Sequence, residues 1–360
     1  MTARLLIVGT GLIGTSIGLA LGGVDVVVAD ADENHLATAV DRGAGRRWDG
    51  NPVRHAVLAL PPRRIAPELV RLQRRASAQT FSHVASAQAL LQGDIETSAV
   101  DVTSLCGSHP MAGRERSGPS AATADLFVGR PWVLCPTPST SASALDATRQ
   151  LALDCGGEPV ELTAAEHDAG VALVSHLPQV AASAVAAVLL GAPWSADGDG
   201  LLRLAGPGLQ DTTRVAGSDP ALWTEVLRQN AAAVAPLVRA LAAELDEAAE
   251  ALQRLADGDG TGSHAVRDLL VRGRAGRQRV PVKHGEQDSA FARVSIGVSD
   301  RPGQLAGVLV SAAEAGINVE DVRVEHLAGR PRGVIELLVQ DTARTRAQQA
   351  LAAAGWEVLA

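Results

Sequence analysis

Leu5-Leu6-Ile7-Val8-Gly9-Thr10-Gly11-Leu12-Ile13-Gly14 decides how the first half of this chain folds. The apolar run makes a short buried strand, and the Gly-x-Gly-x-x-Gly spacing follows where the chain turns into a helix. Glycines there permit a tight turn and let backbone N–H groups approach a pyrophosphate at the helix N-terminus. The context strengthens the motif, because Val24 to Asp30 reads as a second strand ending in a carboxylate about 20 residues on. A carboxylate at that point accepts hydrogen bonds from adenosine ribose hydroxyls and repels a 2′-phosphate, so NAD is expected rather than NADP. Gly9, Gly11, Leu12, Ile13, Gly14 and Asp30 are therefore candidate cofactor residues. Leu60 and Pro61, ending a strand from Ala56, should line the same cleft, since ligands lie beyond strand C-termini in such sheets.

Working outward, strand-like runs at Thr80–Val84, Ala99–Thr103 and Trp132–Cys135 extend a parallel sheet, giving a Rossmann-type dinucleotide-binding domain over residues 1–160. From Thr163 the texture changes to alanine- and leucine-rich stretches, 163–190 and 221–256, which predict an all-helical domain over 161–275. Within it Ala169–Gly191 is apolar over nearly a membrane-spanning length, but His176, Pro178 and Gln179 interrupt it, so a buried helix or subunit interface is expected, not a membrane span. The glycine-rich, arginine-rich stretch 257–289 reads as turn-rich and solvated, with a linker at 276–290. Residues 291–360 alternate as strand, helix, strand, strand, helix, which predicts a small ferredoxin-like βαββαβ domain. The fold class is thus α/β with a helical middle.

A net charge of −8 disfavours nucleic acid as a partner. Met1 to Val8 lacks the basic start and cleavage site of a secretory signal, so a cytoplasmic protein is expected. Cys106, Cys135 and Cys155 have no CxxC spacing, which points to buried thiols and to no metal site. Lys283 is the only lysine, leaving mechanisms built on a catalytic lysine almost nothing to use.

His109-Pro110-Met111-Ala112-Gly113 ends another candidate strand and brings an imidazole to the rim of the sheet where the nicotinamide would lie. The run continues as Arg114-Glu115-Arg116-Ser117-Gly118. Further along stand Leu126-Phe127 before Pro131-Trp132-Val133-Leu134, then His167-Asp168, Ser175-His176-Leu177-Pro178, and Asp211-Thr212-Thr213-Arg214 before Trp223. Together with the glycine turn, these motifs resemble the prephenate and arogenate dehydrogenase family over nearly the whole chain.

That resemblance implies a homodimeric, NAD-dependent prephenate dehydrogenase: oxidative decarboxylation of prephenate to 4-hydroxyphenylpyruvate, in tyrosine biosynthesis. Arogenate, or a 4-amino-4-deoxy analogue of prephenate, is the alternative substrate. By the resemblance His109 accepts the proton of the ring C4 hydroxyl, a task suited to an imidazole. Ser86, in His83-Val84-Ala85-Ser86-Ala87-Gln88, matches the serine that orients this histidine, although His83 and Gln88 replace the usual acid and lysine. Arg214 matches the ligand of the substrate carboxylate, for which a guanidinium fork is suited. Glu115 and His167 fall at further substrate positions, and Gln179 replaces a histidine that faces the substrate.

Asp300-Arg301-Pro302-Gly303-Gln304-Leu305-Ala306 and Gly316-Ile317-Asn318-Val319 resemble the ACT family of amino-acid-sensing domains. The likeness implies an aromatic amino acid, tyrosine first, held near Gly303, Gly316, Ile317 and Asn318. Two other classes compete. Several hydroxyacid or imine-reducing dehydrogenases rely on a lysine in the helical region, which holds none between 160 and 280. A non-enzymatic amino-acid sensor would have no need of His109, Arg214 and Asp30.

Overall fold

The computed structural model describes residues 4–114, 116–191, 204–280, 291–326 and 332–359. Two compact units divide the chain, residues 1–249 and 250–360.

The first unit begins with β1 (Leu5–Val8), α1 (Leu12–Ala20), β2 (Val26–Ala29), α2 (Glu33–Asp41), β3 (Arg46–Arg47), β4 (Val53–Leu58), α3 (Pro62–Arg74), β5 (Ala78–His83), α4 (Ala89–Glu96) and β6 (Leu105–Pro110). It continues with β7 (Pro131–Cys135), α5 (Ala142–Asp154) and β8 (Glu158–Glu161). These strands form one sheet in the order β3-β2-β1-β4-β5-β6-β7-β8. Strand order reverses at β1, the feature that opens a ligand crevice in doubly wound sheets. Central strand β1 is buried on both sides: Leu5 and Ile7 join one core with Ile17 and Trp132, and Leu6 and Val8 join another with Ile65 and Phe81. That is why it reads as a continuous apolar run rather than an alternating one. Truncating Leu6 or Ile7, each fully buried, to alanine would cost about 2–5 kcal/mol.

Two sequence expectations need correcting here. Ala99–Thr103 is not a strand: the Asp101 carboxylate accepts the N–H of Thr103 and holds a short helical turn, Val102–Ser104, and the strand begins only at Leu105. The sheet is also not wholly parallel, because β7 runs antiparallel to β6.

The helical part of the unit comprises α6 (Ala164–Val171), α7 (Leu177–Gly191), α8 (Pro207–Thr213), α9 (Pro220–Gln229) and α10 (Ala231–Ala256), the last crossing into the second unit. A capping box, Thr163 with Glu166, starts α6 and fixes the direction in which His167 and Asp168 leave it. One wide π turn, Ala172–His176, joins α6 to α7. The Ala164–Leu190 stretch is long and apolar enough to cross a membrane, yet only 17% of its most apolar window is buried within the chain. The expected burial is therefore not met inside one protomer, and Leu173, Val174, Val188 and Leu190 lie exposed.

The second unit adds α11 (Gly262–Gln278), then β9 (Phe291–Ser299), α12 (Gln304–Glu314), β10 (Val319–His326), β11 (Arg332–Gln340), α13 (Arg344–Ala353) and β12 (Glu357–Leu359). Much of the expected turn-rich stretch is helix α11, whose exposed glycines 273 and 276 meet no neighbour and which carries an Asp268–Arg272 ion pair one turn apart. Lys283 and the rest of the expected linker to residue 290 lie outside the described residues. Strands β10-β11-β9-β12 form an antiparallel sheet in βαββαβ order, a ferredoxin-like arrangement. Val294, Ile296 and Val298 alternate onto one face against Val308, Ala312 and Leu351. Gly303 precedes α12 at φ 88° and Gly316 follows it at φ 65°, a left-handed backbone that favours glycine. Ile317 is buried in this core, and exposed Asn318 donates its amide to Glu320.

Candidate active site

Strands β2, β1, β4, β5 and β6 are mutually parallel, so their C-terminal ends share one rim. Along it stand Asp30, the glycine turn, Leu60 with Pro61, Ser86 and His109. From the end of β2 to the end of β6 is four strand spacings, about 19 Å, room to lay an extended dinucleotide across the crevice.

The three glycines of the turn do different things. Gly9 adopts φ 98°, and a Cβ there would lie 2.3 Å from the Ala59 carbonyl oxygen. A Cβ on Gly14 would lie 1.9 Å from the Gly9 carbonyl oxygen, so both residues are required by the protein's own packing. Gly11 would meet nothing within 4 Å. No side chain caps α1 and no acid stands in its first turn, so its leading N–H groups are left for an anion over Gly11. Leu12 and Ile13 turn inward to the core, and the Leu60 side chain packs beside Gly9.

Asp30 accepts hydrogen bonds from the Thr10 N–H (2.6 Å), the Thr10 hydroxyl (2.9 Å) and the Asp32 N–H (2.8 Å). Burial opposes its ionisation, but those bonds outweigh it and hold its pKa below the usual carboxylate value. It is a fixed negative charge beside the turn, fitting a ribose with free hydroxyls better than a phosphorylated one. The open cradle over Gly11, the uncapped helix and this carboxylate suit a dinucleotide such as NAD.

At the other end of the rim, His109 is half-buried on β6. Its Nδ1 lies 2.9 Å from His167 Nε2, and His167 Nδ1 lies 2.7 Å from Asp168 Oδ1. Asp168 accepts the N–H groups of Gln88 and Ala89, both at 2.8 Å, thereby capping α4, which has no cap from its own N-terminal residue. Burial opposes ionisation of Asp168, and the bonds from His167 and α4 prevail, keeping its pKa low. Burial and the His167 and His176 imidazoles push His109 down to about 3, against an upward pull from Asp168. His109 is neutral at pH 7 and able to accept a proton.

Other expected residues are placed less directly. Ser86 lies half-buried in the loop after β5, and no hydrogen bond joins it to His109 among the described residues; the Nδ1 contact goes to His167 instead. His167 is buried and spends both ring nitrogens inside the protein, so it is not arranged as a substrate donor. Gln179 donates to the Val215 carbonyl at 3.0 Å, tying α7 to the short turn Arg214–Gly217. Arg214, exposed, starts that turn. Glu115 lies outside the described residues.

Sequence reasoning missed three supports. Asp168 anchors the histidine pair, Gln88 donates its amide to the Ala85 and Ser108 carbonyls, and the Asn230 amide bridges the Asp168 carbonyl and His176 Nδ1. The His167-Asp168 adjacency was the one visible signal. Among the described residues no cluster of three His, Cys, Asp or Glu side chains is arranged to hold a metal.

Residues 19–161 match the family model for the prephenate dehydrogenase nucleotide-binding domain, and residues 163–262 match that for the prephenate dehydrogenase dimerization domain. A Streptomyces niveus protein named "Probable prephenate dehydrogenase NovF" is 36% identical over 341 residues, covering 92% of this chain and 93% of its own. Prephenate dehydrogenase from Aquifex aeolicus, crystallised with hydroxyphenyl propionate and NAD+, superposes with a TM-score of 0.67 at 24% identity, covering 78% of this chain and 99% of that one. That likeness speaks for the fold. Synechocystis arogenate dehydrogenase superposes with a TM-score of 0.61 at 25% identity, covering 76% of this chain and 98% of that one. With both domain models matched in order, and a relative aligned over nine-tenths of its length, the chain belongs to the prephenate dehydrogenase family.

Proposed function

We propose that this protein is an NAD-dependent dehydrogenase that converts prephenate to 4-hydroxyphenylpyruvate and carbon dioxide in tyrosine biosynthesis. The observation that carries this is an imidazole, His109, on the same strand rim as a dinucleotide cradle, in a chain of this family. His109 takes the proton of the substrate C4 hydroxyl as the C4–O bond becomes a carbonyl. NAD, which the glycine turn and Asp30 would hold, would supply the acceptor for the hydride leaving C4. The C1–carboxylate bond then breaks, its electron pair restores the aromatic ring, carbon dioxide leaves, and the proton on His109 returns to the ring oxygen. Arg214, held near α7 through the Gln179–Val215 bond, pairs with a substrate carboxylate. Ser86, at the rim, orients the hydroxyl, and the family resemblance makes Glu115 a further substrate residue.

Arogenate is the second substrate to consider, since the Synechocystis protein of similar structure is an arogenate dehydrogenase. The exposed apolar face of α7 supports pairing with a second copy, in keeping with the family's dimerization domain. The ferredoxin-like unit, with Gly303 and Gly316 flanking α12, supports an ACT reading in which tyrosine binds near Ile317 and Asn318. A biosynthetic enzyme of this kind works in the cytoplasm.

The test is absorbance of reduced nicotinamide with purified protein, comparing prephenate with arogenate and NAD with NADP. Turnover with neither substrate would end the proposal. Tyrosine should shift the apparent substrate affinity by about 5–150-fold, and removal of residues 291–360 should abolish that shift. Equal sensitivity in the truncated protein would refute the regulatory assignment.

A further inference from the structure

The hydrogen bonds around His109 dictate which of its nitrogens carries hydrogen. The Asp168 carboxylate is an acceptor only, and both its oxygens already receive backbone N–H groups from the start of α4. His167 Nδ1, 2.7 Å from Asp168 Oδ1, must therefore donate. A neutral imidazole with hydrogen on Nδ1 has its lone pair on Nε2, and that atom lies 2.9 Å from His109 Nδ1. With His167 carrying its hydrogen on Nδ1 alone, His109 Nδ1 supplies the hydrogen of that contact, and a neutral His109 has a bare Nε2.

We propose that Asp168, acting through His167, is a positioning pair that holds His109 in its Nδ1–H tautomer and so offers a bare Nε2 to the substrate hydroxyl. This rests on the dehydrogenase reading above and reassigns His167 from substrate contact to orientation of the base. Asp168 is suited to the part because it cannot turn away. It is 5% exposed, it caps α4 from another element, and its own carbonyl is held by Asn230 at 2.8 Å. His167, 1% exposed and bonded at both nitrogens, has no rotational freedom either. The arrangement works by the same logic as an outer carboxylate that fixes the tautomer of a metal-bound or catalytic histidine, with one extra imidazole in the line.

The experiment is two-bond proton–nitrogen correlation NMR on the full-length protein labelled with 15N-histidine, His109 being assigned by the loss of its signals in His109→Asn. His109 in the wild-type protein should show hydrogen on Nδ1; hydrogen on Nε2 would overturn the proposal whatever the enzyme's activity. In Asp168→Asn the amide can donate to His167, reversing both tautomers, and kcat should fall by about 10²-fold or more with KM little changed. An unchanged His109 tautomer in that variant overturns the proposal. His167→Gln keeps an amide oxygen for the His109 Nδ1–H and should retain most of the turnover, whereas His167→Phe should lose it. Equal loss in both would reduce His167 to a packing role and overturn the proposal. If the wild-type protein turns over neither prephenate nor arogenate, the function fails while the tautomer measurement still decides the positioning claim.

Discussion

The glycine turn and the histidine line sit at the two ends of one strand rim and work by opposite means. The turn works by the absence of atoms: Gly9 and Gly14 are glycines because a Cβ would strike a carbonyl oxygen, and Gly11 because a ligand must come close. The histidine line works by filled valences, every side-chain nitrogen and oxygen of Asp168 and His167 having a partner. The difference teaches where damage should appear. At the turn, substitutions act on shape; at the line, they act on chemistry in an intact fold.

The sharpest break in that contrast is His109→Asn, which should lower kcat by about 10²–10⁴-fold while melting temperature and NAD affinity stay near wild type. Retained turnover would remove the base from the rim. Arg214→Ala should come next, raising KM for the substrate by about 10–100-fold, equivalent to about 1.4–2.7 kcal/mol, with kcat within a few-fold; a pure kcat effect would place the guanidinium elsewhere in the cycle. Gly14→Ala and Gly11→Ala then separate the two kinds of glycine. Gly14→Ala should lose about 1–3 kcal/mol of stability in thermal or urea unfolding. Gly11→Ala should melt normally and raise KM for NAD by about tenfold, near 1.4 kcal/mol; a melting loss as large as that of Gly14→Ala would dissolve the distinction.

The smallest effect concerns pH. Burial holds His55 and His83 down to about 4 and, with its imidazole neighbours, His109 down to about 3, so below the ordinary histidine pKa the unfolded chain binds more protons than the folded one. Stability should therefore be full above about pH 6.5 and be lost as pH falls through the range below it. The kcat/KM of the protein still folded should stay level over the upper part of that range, because the base remains unprotonated. A drop in kcat/KM near pH 6.5 that follows the His109 signals would contradict the lowered value.

What could be seen in the amino-acid order divides along the same line. The turn, Asp30 and His109 were legible because each is a local pattern at a strand end, and the Rossmann order follows from them. Ala99–Thr103 misled because a β-branched run looks like a strand, whereas one Asp101 side chain bonding locally outcompetes the sheet. Helix α11 was hidden by its glycines and arginines; glycine in a helix costs only about 1 kcal/mol, which neighbouring turns can absorb. The antiparallel sense of β7 leaves no trace in its composition. The part of Asp168 is silent in the amino-acid order because its partners, Gln88 and Ala89, lie some 80 residues earlier in the chain. Ser86 matches only a motif, and the bond expected of it goes to an imidazole from the helical half.

The wide turn at Ala172–His176 has a consequence for how the two halves of this helix are geared. One residue more than a regular turn advances everything after it by about 100° around the axis. His167 and Asp168 can thus look back at the sheet while Gln179 looks toward Val215. Removing a single residue from that turn would leave both ends helical and put them out of phase. The base would keep its support, and the arginine turn would lose its tether.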